Sequence, residues 1–444
     1  MESGARELLV NHDLPAPGGT DDVEVSVATS SSAKPGRLVA LDAFRGAVVI
    51  LMILVDDAGP VYGHAIDHSP WDGIRLADVV MPAFLFAVGC STGLSITSRR
   101  NRGVQRWAIA KDTFYRCSRL FALGLLLQGG TFPNGYSLAN LRIPGILQRI
   151  AFVFFAVVLI ELYSPTLRSV RHHVLRYIAQ YVAMAVVLAV YALLMYATSV
   201  TMSCPLGPLK QDPSCSAPGF WDRAILGTRH MYGEPVFNRS PACSSCSPAL
   251  CPRDDAPVWC SQPFDPEGSL SSISSIASGF AGLQFAHIFN DDKDRHSQSR
   301  SWMFMSASWC IIGVAFVGAG IPLNKNLYSL PYVFVTSAGN IVVLAALSIV
   351  FESRGHQQNL SYVTAVGRNA ILVFVFGASG ILDNMLTWVY WDQPSQNIVN
   401  TVINLCIDVL GPDMGLLVYV ALLKIVFWIA VCKTLDQKGK YYTI

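Results

Sequence analysis

Between Val55 and Gly73 the chain reads Val55-Asp56-Asp57-Ala58-Gly59, then Gly63-His64, then Asp67-His68-Ser69-Pro70-Trp71-Asp72-Gly73. Four aspartates and two histidines fall in one stretch whose glycines and proline permit tight backbone turns. A neutral imidazole can serve as general base or nucleophile, and a nearby carboxylate can orient it. The same residue types bind zinc or form a plain polar loop, so residue type alone leaves three readings open.

Two further places set charge into apolar sequence. Asp42 and Arg45 stand three residues apart in Leu41–Gly46, a spacing that puts both on one helix face. Charges near membrane depth are costly and either pair or serve function. Asp78 is expected at the opposite end of its helix, away from Arg45. The segment Leu141-Arg142-Ile143-Pro144-Gly145-Ile146-Leu147-Gln148-Arg149-Ile150 opens with a proline suited to a first helical turn. Arg149 then lies inside the helix and needs a carboxylate partner or a ligand anion. Asn324-Lys325-Asn326 reads as a capping turn, and Gly367-Arg368-Asn369 places an arginine at a membrane interface.

The elements that carry these residues follow from composition. Of 444 residues, 32 are Lys or Arg and 30 are Asp or Glu, so 14% are charged, against about 25% in soluble domains. Hydrophobic residues make up 52%, and mean hydropathy is +0.41. These values exclude a disordered chain and an ordinary cytosolic enzyme. The net charge of +2 excludes a nucleic-acid binder driven by bulk charge. A bilayer core takes roughly 20 apolar residues per helix. Ten segments qualify: Leu38–Val55, Leu76–Ile96, Thr113–Gln128, Ile143–Tyr163, Val174–Val200, Ser269–Phe289, Ser301–Ile321, Ser329–Phe351, Tyr362–Met385 and Pro412–Leu435. Asn397–Leu410 is apolar but short. The fold class is thus an all-α polytopic membrane protein of about ten transmembrane helices with one disulfide-rich lumenal loop. Residues 1–36 are expected to be a disordered cytosolic tail, and 37–444 the transmembrane domain, with 201–268 as that loop.

Lys and Arg cluster after the second, fourth, sixth and tenth segments, which puts those connections and both termini in the cytosol. The stretches 56–75 and 201–268 then face a lumen or the exterior. Six cysteines (Cys204, Cys215, Cys243, Cys246, Cys251, Cys260) lie in the long loop, as expected of three disulfides in an oxidising compartment. A zinc site on Cys243, Cys246, Cys251 and Cys260 is the alternative. Asn238-Arg239-Ser240 is a glycosylation sequon. Tyr441-Tyr442-Thr443-Ile444 has the form of a tyrosine sorting signal.

From about Arg37 onward, five stretches together resemble the heparan-α-glucosaminide N-acetyltransferase family, the multispan enzymes of lysosomes and their relatives in plants and bacteria. They are Arg37-Leu38 with Asp42-Ala43-Phe44-Arg45-Gly46; His68–Gly73 with Ala77-Asp78 and Pro82–Phe86; Leu141–Arg149; Asp265-Pro266-Glu267-Gly268; and Leu323–Leu330. The resemblance implies transfer of an acetyl group from cytosolic acetyl-CoA to an amino group across the membrane, without a metal. The family's active-site histidine maps onto His68, and its Asn or Asp soon after the first span onto Asp56 or Asp57. Either an acetyl-histidine intermediate or direct transfer with histidine as base is compatible with it. Arg45, Arg119, Arg149 and Arg368 are the expected contacts to the donor's phosphates. The partners expected are a lumenal amino-sugar or other amine, membrane lipid and a second copy of the chain, but no nucleic acid. The expected location is a lysosomal or vacuolar membrane, with the plasma membrane as the alternative. A transporter or channel without group transfer is the rival reading, because intramembrane Asp and Arg residues also mark ion pathways.

Overall fold

The computed structural model describes residues 38–444 apart from 63–65, 129–136, 168, 171, 199–210, 214–215, 246–252, 293, 353–359, 379 and 443–444. The expected N-terminal tail, His64, Ile444 and the cysteines Cys204, Cys215, Cys246 and Cys251 lie outside the described residues.

The described chain is helical, without a β-strand; isolated bridges join Asp72 to Asn324 and Tyr390 to Asn397. In order the main helices are α1 (Val39–Tyr62), α2 (Val80–Asn101), α3 (Arg106–Gln128), α4 (Ile146–Tyr163), α5 (Ile178–Tyr196), α6 (Ala217–Leu226), α7 (Ser269–Asp291), α8 (Arg295–Gly318), α9 (Leu330–Glu352), α10 (Ser361–Arg368), α11 (Ala370–Thr387), α12 (Ile398–Leu410) and α13 (Met414–Gln437). Helix runs through the described part of each of the ten segments read from the sequence, but fewer than ten qualify as membrane spans. Seven of the helices, α2 (with the 3-10 turn Leu76–Val79 before it), α4, α5, α8, α9, α11 and α13, are long and apolar enough to cross a membrane. Helices α1, α3 and α7 reach 24, 23 and 23 residues but are more polar. Asp42, Arg45, Asp56 and Asp57 interrupt α1, five charged residues interrupt α3, and a serine series dilutes α7.

Helix α7 is the hub. It is buried from Leu270 to Ile288 almost without a break, and its serine hydroxyls bond mainly to carbonyls of its own turn or to Tyr328. Small residues let α2 and α7 approach closely. A Cβ on Gly89 would run into the carbonyl oxygen of Gly279, and one on Gly282 into that of Phe86. Close helix contact through small residues replaces the hydrophobic drive that water supplies to soluble proteins. The same device joins α1 to α10 through Gly46 and Gly367. Around these contacts Phe44, Phe86, Phe285 and Trp302 form an aromatic chain, closing with a stacked Phe285–Trp302 pair at 4.3 Å.

The segment between α5 and α7 covers one end of the bundle. Its Cys243–Cys260 disulfide is formed, which removes two ligands from the alternative zinc set. Trp71 is wedged against Phe237 and Phe264, and its indole N–H donates to the Gln211 carbonyl at 2.8 Å. Asn238 of the sequon is buried, 9% exposed. Arg142 clamps this segment to the start of α4 by a two-pronged pair with Asp265 and a third bond to Glu267, all 2.7 Å.

Candidate functional site

The connection from α1 to α2 folds back over the bundle, and Asp78 in the 3-10 turn before α2 is its anchor. The Asp78 carboxylate is completely buried. Its Oδ2 accepts the backbone N–H groups of Ser69 at 3.1 Å and Arg75 at 2.9 Å. Its Oδ1 lies 3.0 Å from His68 Nδ1. Arg75 also reaches the His68 carbonyl at 3.2 Å, and Asp67 accepts the His68 backbone N–H at 2.7 Å. Arg239, from the covering segment, holds Asp67 at 3.0 Å. The histidine is therefore fixed at its ring and at its backbone. Asp78 partners His68 rather than Arg45, as its position in sequence led us to expect.

A second turn, far along the chain, completes the site. Asn324 pairs with Asp72 as an isolated bridge and donates from its side chain to Asp72 Oδ1 at 3.1 Å. Asn324 Oδ1 also accepts the Leu327 N–H at 2.9 Å, so the expected capping turn is present. The turn does more than cap: it delivers Lys325 Nζ to 2.8 Å from His68 Nδ1 and 3.6 Å from Asp78. Tyr328 closes the turn at φ +50°, a left-handed conformation costly for a bulky residue, with its ring buried beneath the site. Sequence reading treated Lys325 as part of a cap; nothing local marks a lysine that meets a histidine 257 residues away.

The two adjacent aspartates of α1 diverge. Asp57 pairs with the buried Lys424 of α13 at 2.7 Å, and Lys424 also holds Asp383 of α11 at 2.6 Å. A π-helical turn lies beside each of these partners, Phe374–Ala378 and Tyr419–Lys424; such turns are frequent at functional sites. Asp56 is exposed, within electrostatic reach of Lys325. Of the pair left open by the sequence, Asp56 is the one on the His68–Lys325 side.

The expected donor contacts separate as well. Arg45 and Arg368 line a cavity of about 410 Å³ between α1, α2, α3, α4, α10 and α11, together with Arg99, Arg116, Ser91 and Tyr442. Arg45 donates to Ser91 and lies 3.5 Å from Asp42; Arg368 approaches Asp42 at 3.7 Å and Asp436 at 2.6 Å. Arg119 is exposed outside the lining, bonded to Tyr115 of its own helix. Arg149 stands near the other end of the bundle, held by the Pro266 carbonyl at 2.6 Å and by Ser271 and Ser272, over the Tyr328 ring. The cavity residue Arg45 and the His68-side residue Asp56 are separated by a rise of about 16 Å along α1. Among the described residues, four arginines and no acid line the cavity, with Asp42, Asp112 and Asp436 pairing three of them from outside the lining; such a lining suits an anionic ligand.

Electrostatics decides what the His68 end can do. Burial, then the Lys325 charge, lowers the His68 pKa from its usual value, while Asp78 and Asp67 oppose the shift. The imidazole is thus neutral at neutral pH and competent as base or nucleophile. The Lys325 ammonium beside it repels a metal cation, which disfavours the zinc reading of the loop. Burial alone would raise the Glu267 carboxyl, but Arg142, Arg149 and Lys325 hold it below the usual range.

Comparison with known proteins adds a second line of observation. A family profile described as heparan-alpha-glucosaminide N-acetyltransferase, catalytic, matches residues 37–207. Heparan-alpha-glucosaminide N-acetyltransferase of Homo sapiens is 29% identical over 471 aligned residues, covering 96% of this chain and 66% of its own length. That of Mus musculus is 28% identical over 466, with the same coverage. The chain therefore spans 66% of the length of these curated relatives. The resemblance read from the motifs extends over almost the entire chain.

Proposed function

We propose, from the premise that this chain is a relative of the heparan-α-glucosaminide N-acetyltransferase family, that it is a membrane acyltransferase moving acetyl from acetyl-CoA to an amine on the opposite face. The observation that carries the reading is the part-exposed His68 on the buried Asp78, set at the far end of α1 and α2 from the arginine-lined cavity. An amine must lose a proton as it is acylated, so a neutral imidazole is needed where the acceptor enters. Asp78, held by two backbone N–H groups, orients His68 by accepting from Nδ1–H, which leaves Nε2 to take that proton. This geometry supports direct transfer with His68 as base, and the same atoms allow an acetyl group carried on Nε2. Asp56 lies beside the pair and assists; Asp57 acts through Lys424 and Asp383.

At the other end Arg45 and Arg368, with Arg99 and Arg116, would hold the donor's phosphates, while the pantetheine arm runs along α1 and α2 toward His68. On the reading of ten spans with both termini cytosolic, the cavity would face the acetyl-CoA side and His68 the lumen; the Cys243–Cys260 disulfide in the covering segment supports that orientation. The acceptor class is a primary amine; the terminal glucosaminide in the relatives' name is one instance. A lysosomal or vacuolar membrane fits these features. The test is sidedness: in proteoliposomes holding glucosamine or another primary amine inside, labelled acetyl-CoA supplied outside yields acetylated amine within the lumen. Solute transport without acetyl-CoA consumption would contradict the proposal.

A further inference from the structure

Among the described residues, Lys325 is the charged group at the His68 ring to which the mechanism above gives no part. Its Nζ lies 2.8 Å from Nδ1 and 3.4 Å from Nε2, the atom that would receive the amine proton. Its side chain is only 16% exposed, and an ammonium so shielded ordinarily sits on a carboxylate. Here the nearest carboxylate oxygen among the described residues is Asp78 Oδ1 at 3.6 Å, outside hydrogen-bonding reach. Asp78 already faces His68 and accepts two backbone N–H groups. The turn that presents Lys325 is held by the Asn324 bonds and by Tyr328 in its left-handed conformation. Strain of this kind persists where the surroundings enforce it, and it clusters at functional sites.

We propose that Lys325 is a catalytic residue that stabilises the oxyanion formed on the acetyl carbonyl, an inference that rests on the transferase reading above. The amine nitrogen bonds to the acetyl carbon as His68 Nε2 takes its proton. The carbonyl electron pair moves onto oxygen, where the Lys325 ammonium meets it. Collapse re-forms the carbonyl, breaks the carbon–sulfur bond and expels the CoA thiolate, which takes the proton from the His68 imidazolium. Lys325 keeps its proton throughout.

The same placement leaves the base free. Nζ is close to both ring nitrogens and so lies against the imidazole face rather than on the Nδ1 lone pair. Nδ1–H therefore stays on Asp78, Nε2 keeps its lone pair, and an acetyl oxygen brought beside Nε2 meets the ammonium. Among the described residues the other charged groups facing the pair are Asp67, Asp78 and Arg75 from its own connection, Asp56 from α1 and Glu267 from the loop before α7, with Arg239 on Asp67.

The experiment compares full-length K325A and K325R with wild type, using acetyl-CoA and glucosamine, and adds calorimetric acetyl-CoA binding. K325A is expected to lose about 10²–10³-fold in kcat, the scale of one oxyanion donor, with acetyl-CoA affinity unchanged. K325R recovers part of the loss. The acid limb of the residual K325A pH profile moves to higher pH, because a positive charge beside the imidazole is gone; a merely structural lysine would not move it. Wild-type kcat in K325A, or an unmoved acid limb, overturns the assignment. If K325A does not fold, K325Q takes its place with the same expectations. A folded wild type that acetylates no amine would instead defeat the transferase reading, so the two failures are distinct.

Discussion

Asp78 Oδ1 and Lys325 Nζ meet the same atom, Nδ1 of His68, at 3.0 and 2.8 Å. One partner comes from the turn that opens α2, the other from the turn that precedes α9. The site is therefore assembled across the bundle rather than within one loop, and it depends on the packing that sets those turns together.

Asp78→Asn keeps the size of the side chain but can no longer receive Nδ1–H as a carboxylate does. Loss of an orienting acid behind a catalytic base falls in the range of about 10²–10⁴ in rate. We expect D78N to lose that much in kcat while retaining acetyl-CoA affinity, measured by steady-state kinetics beside calorimetry. Unchanged kcat would remove Asp78 from the mechanism.

The pH dependence has a definite sign. Protonated His68 cannot accept the amine proton, and burial followed by the Lys325 charge lowers its pKa. The acid limb of kcat/KM for a fixed amine should therefore lie below about 6.5, the ordinary imidazole value. Stability follows the same direction. A histidine with folded pKa below its unfolded value contributes stability above the unfolded pKa, and that contribution is lost as pH falls toward the folded one. Thermal unfolding between pH 7 and pH 5 should lose this slope in His68→Gln.

Much of this arrangement was legible in the sequence and part was not. Apolar runs of membrane-spanning length marked where helices lie, because burial in lipid demands continuous apolarity. Residue types marked the Asp/His connection between the first two helices, and the family resemblance picked His68 out of it. Lys325 was invisible as a site residue, since only tertiary packing brings it to His68. The choice between Asp56 and Asp57 was equally closed to sequence: adjacent positions on α1 point about 100° apart, and which direction meets Lys325 depends on helix rotation. Arg149 looked like an anion contact because the hydroxyls and carbonyl that hold it, from Pro266 to Ser272, carry no charge to announce them.

The donor cavity makes a selective prediction. Hydrogen bonds to charged groups are worth about 1.5–3 kcal/mol. Arg45→Ala and Arg368→Ala should each weaken acetyl-CoA binding roughly tenfold to a hundredfold with a smaller effect on kcat. Arg119→Ala, outside the lining, should leave binding unchanged. Titration of the three variants by calorimetry checks the set; an equal loss in R119A would move the donor site.

The α2–α7 contact carries the frame. Gly89→Ala would push a methyl group into the Gly279 backbone, and overpacking of this kind costs about 1–3 kcal/mol or more. A lower unfolding temperature in detergent is expected, with loss of activity following loss of fold. A G89A protein as stable as wild type would mean that the two helices can part without consequence.

The most direct measurement of the central claim sets wild type beside His68→Ala, both shown to be folded and to bind acetyl-CoA, with labelled acetyl-CoA and a primary amine. We predict acetylated amine from wild type and a loss of at least about 10²-fold in H68A. Transfer at the wild-type rate by a folded H68A protein would contradict the account.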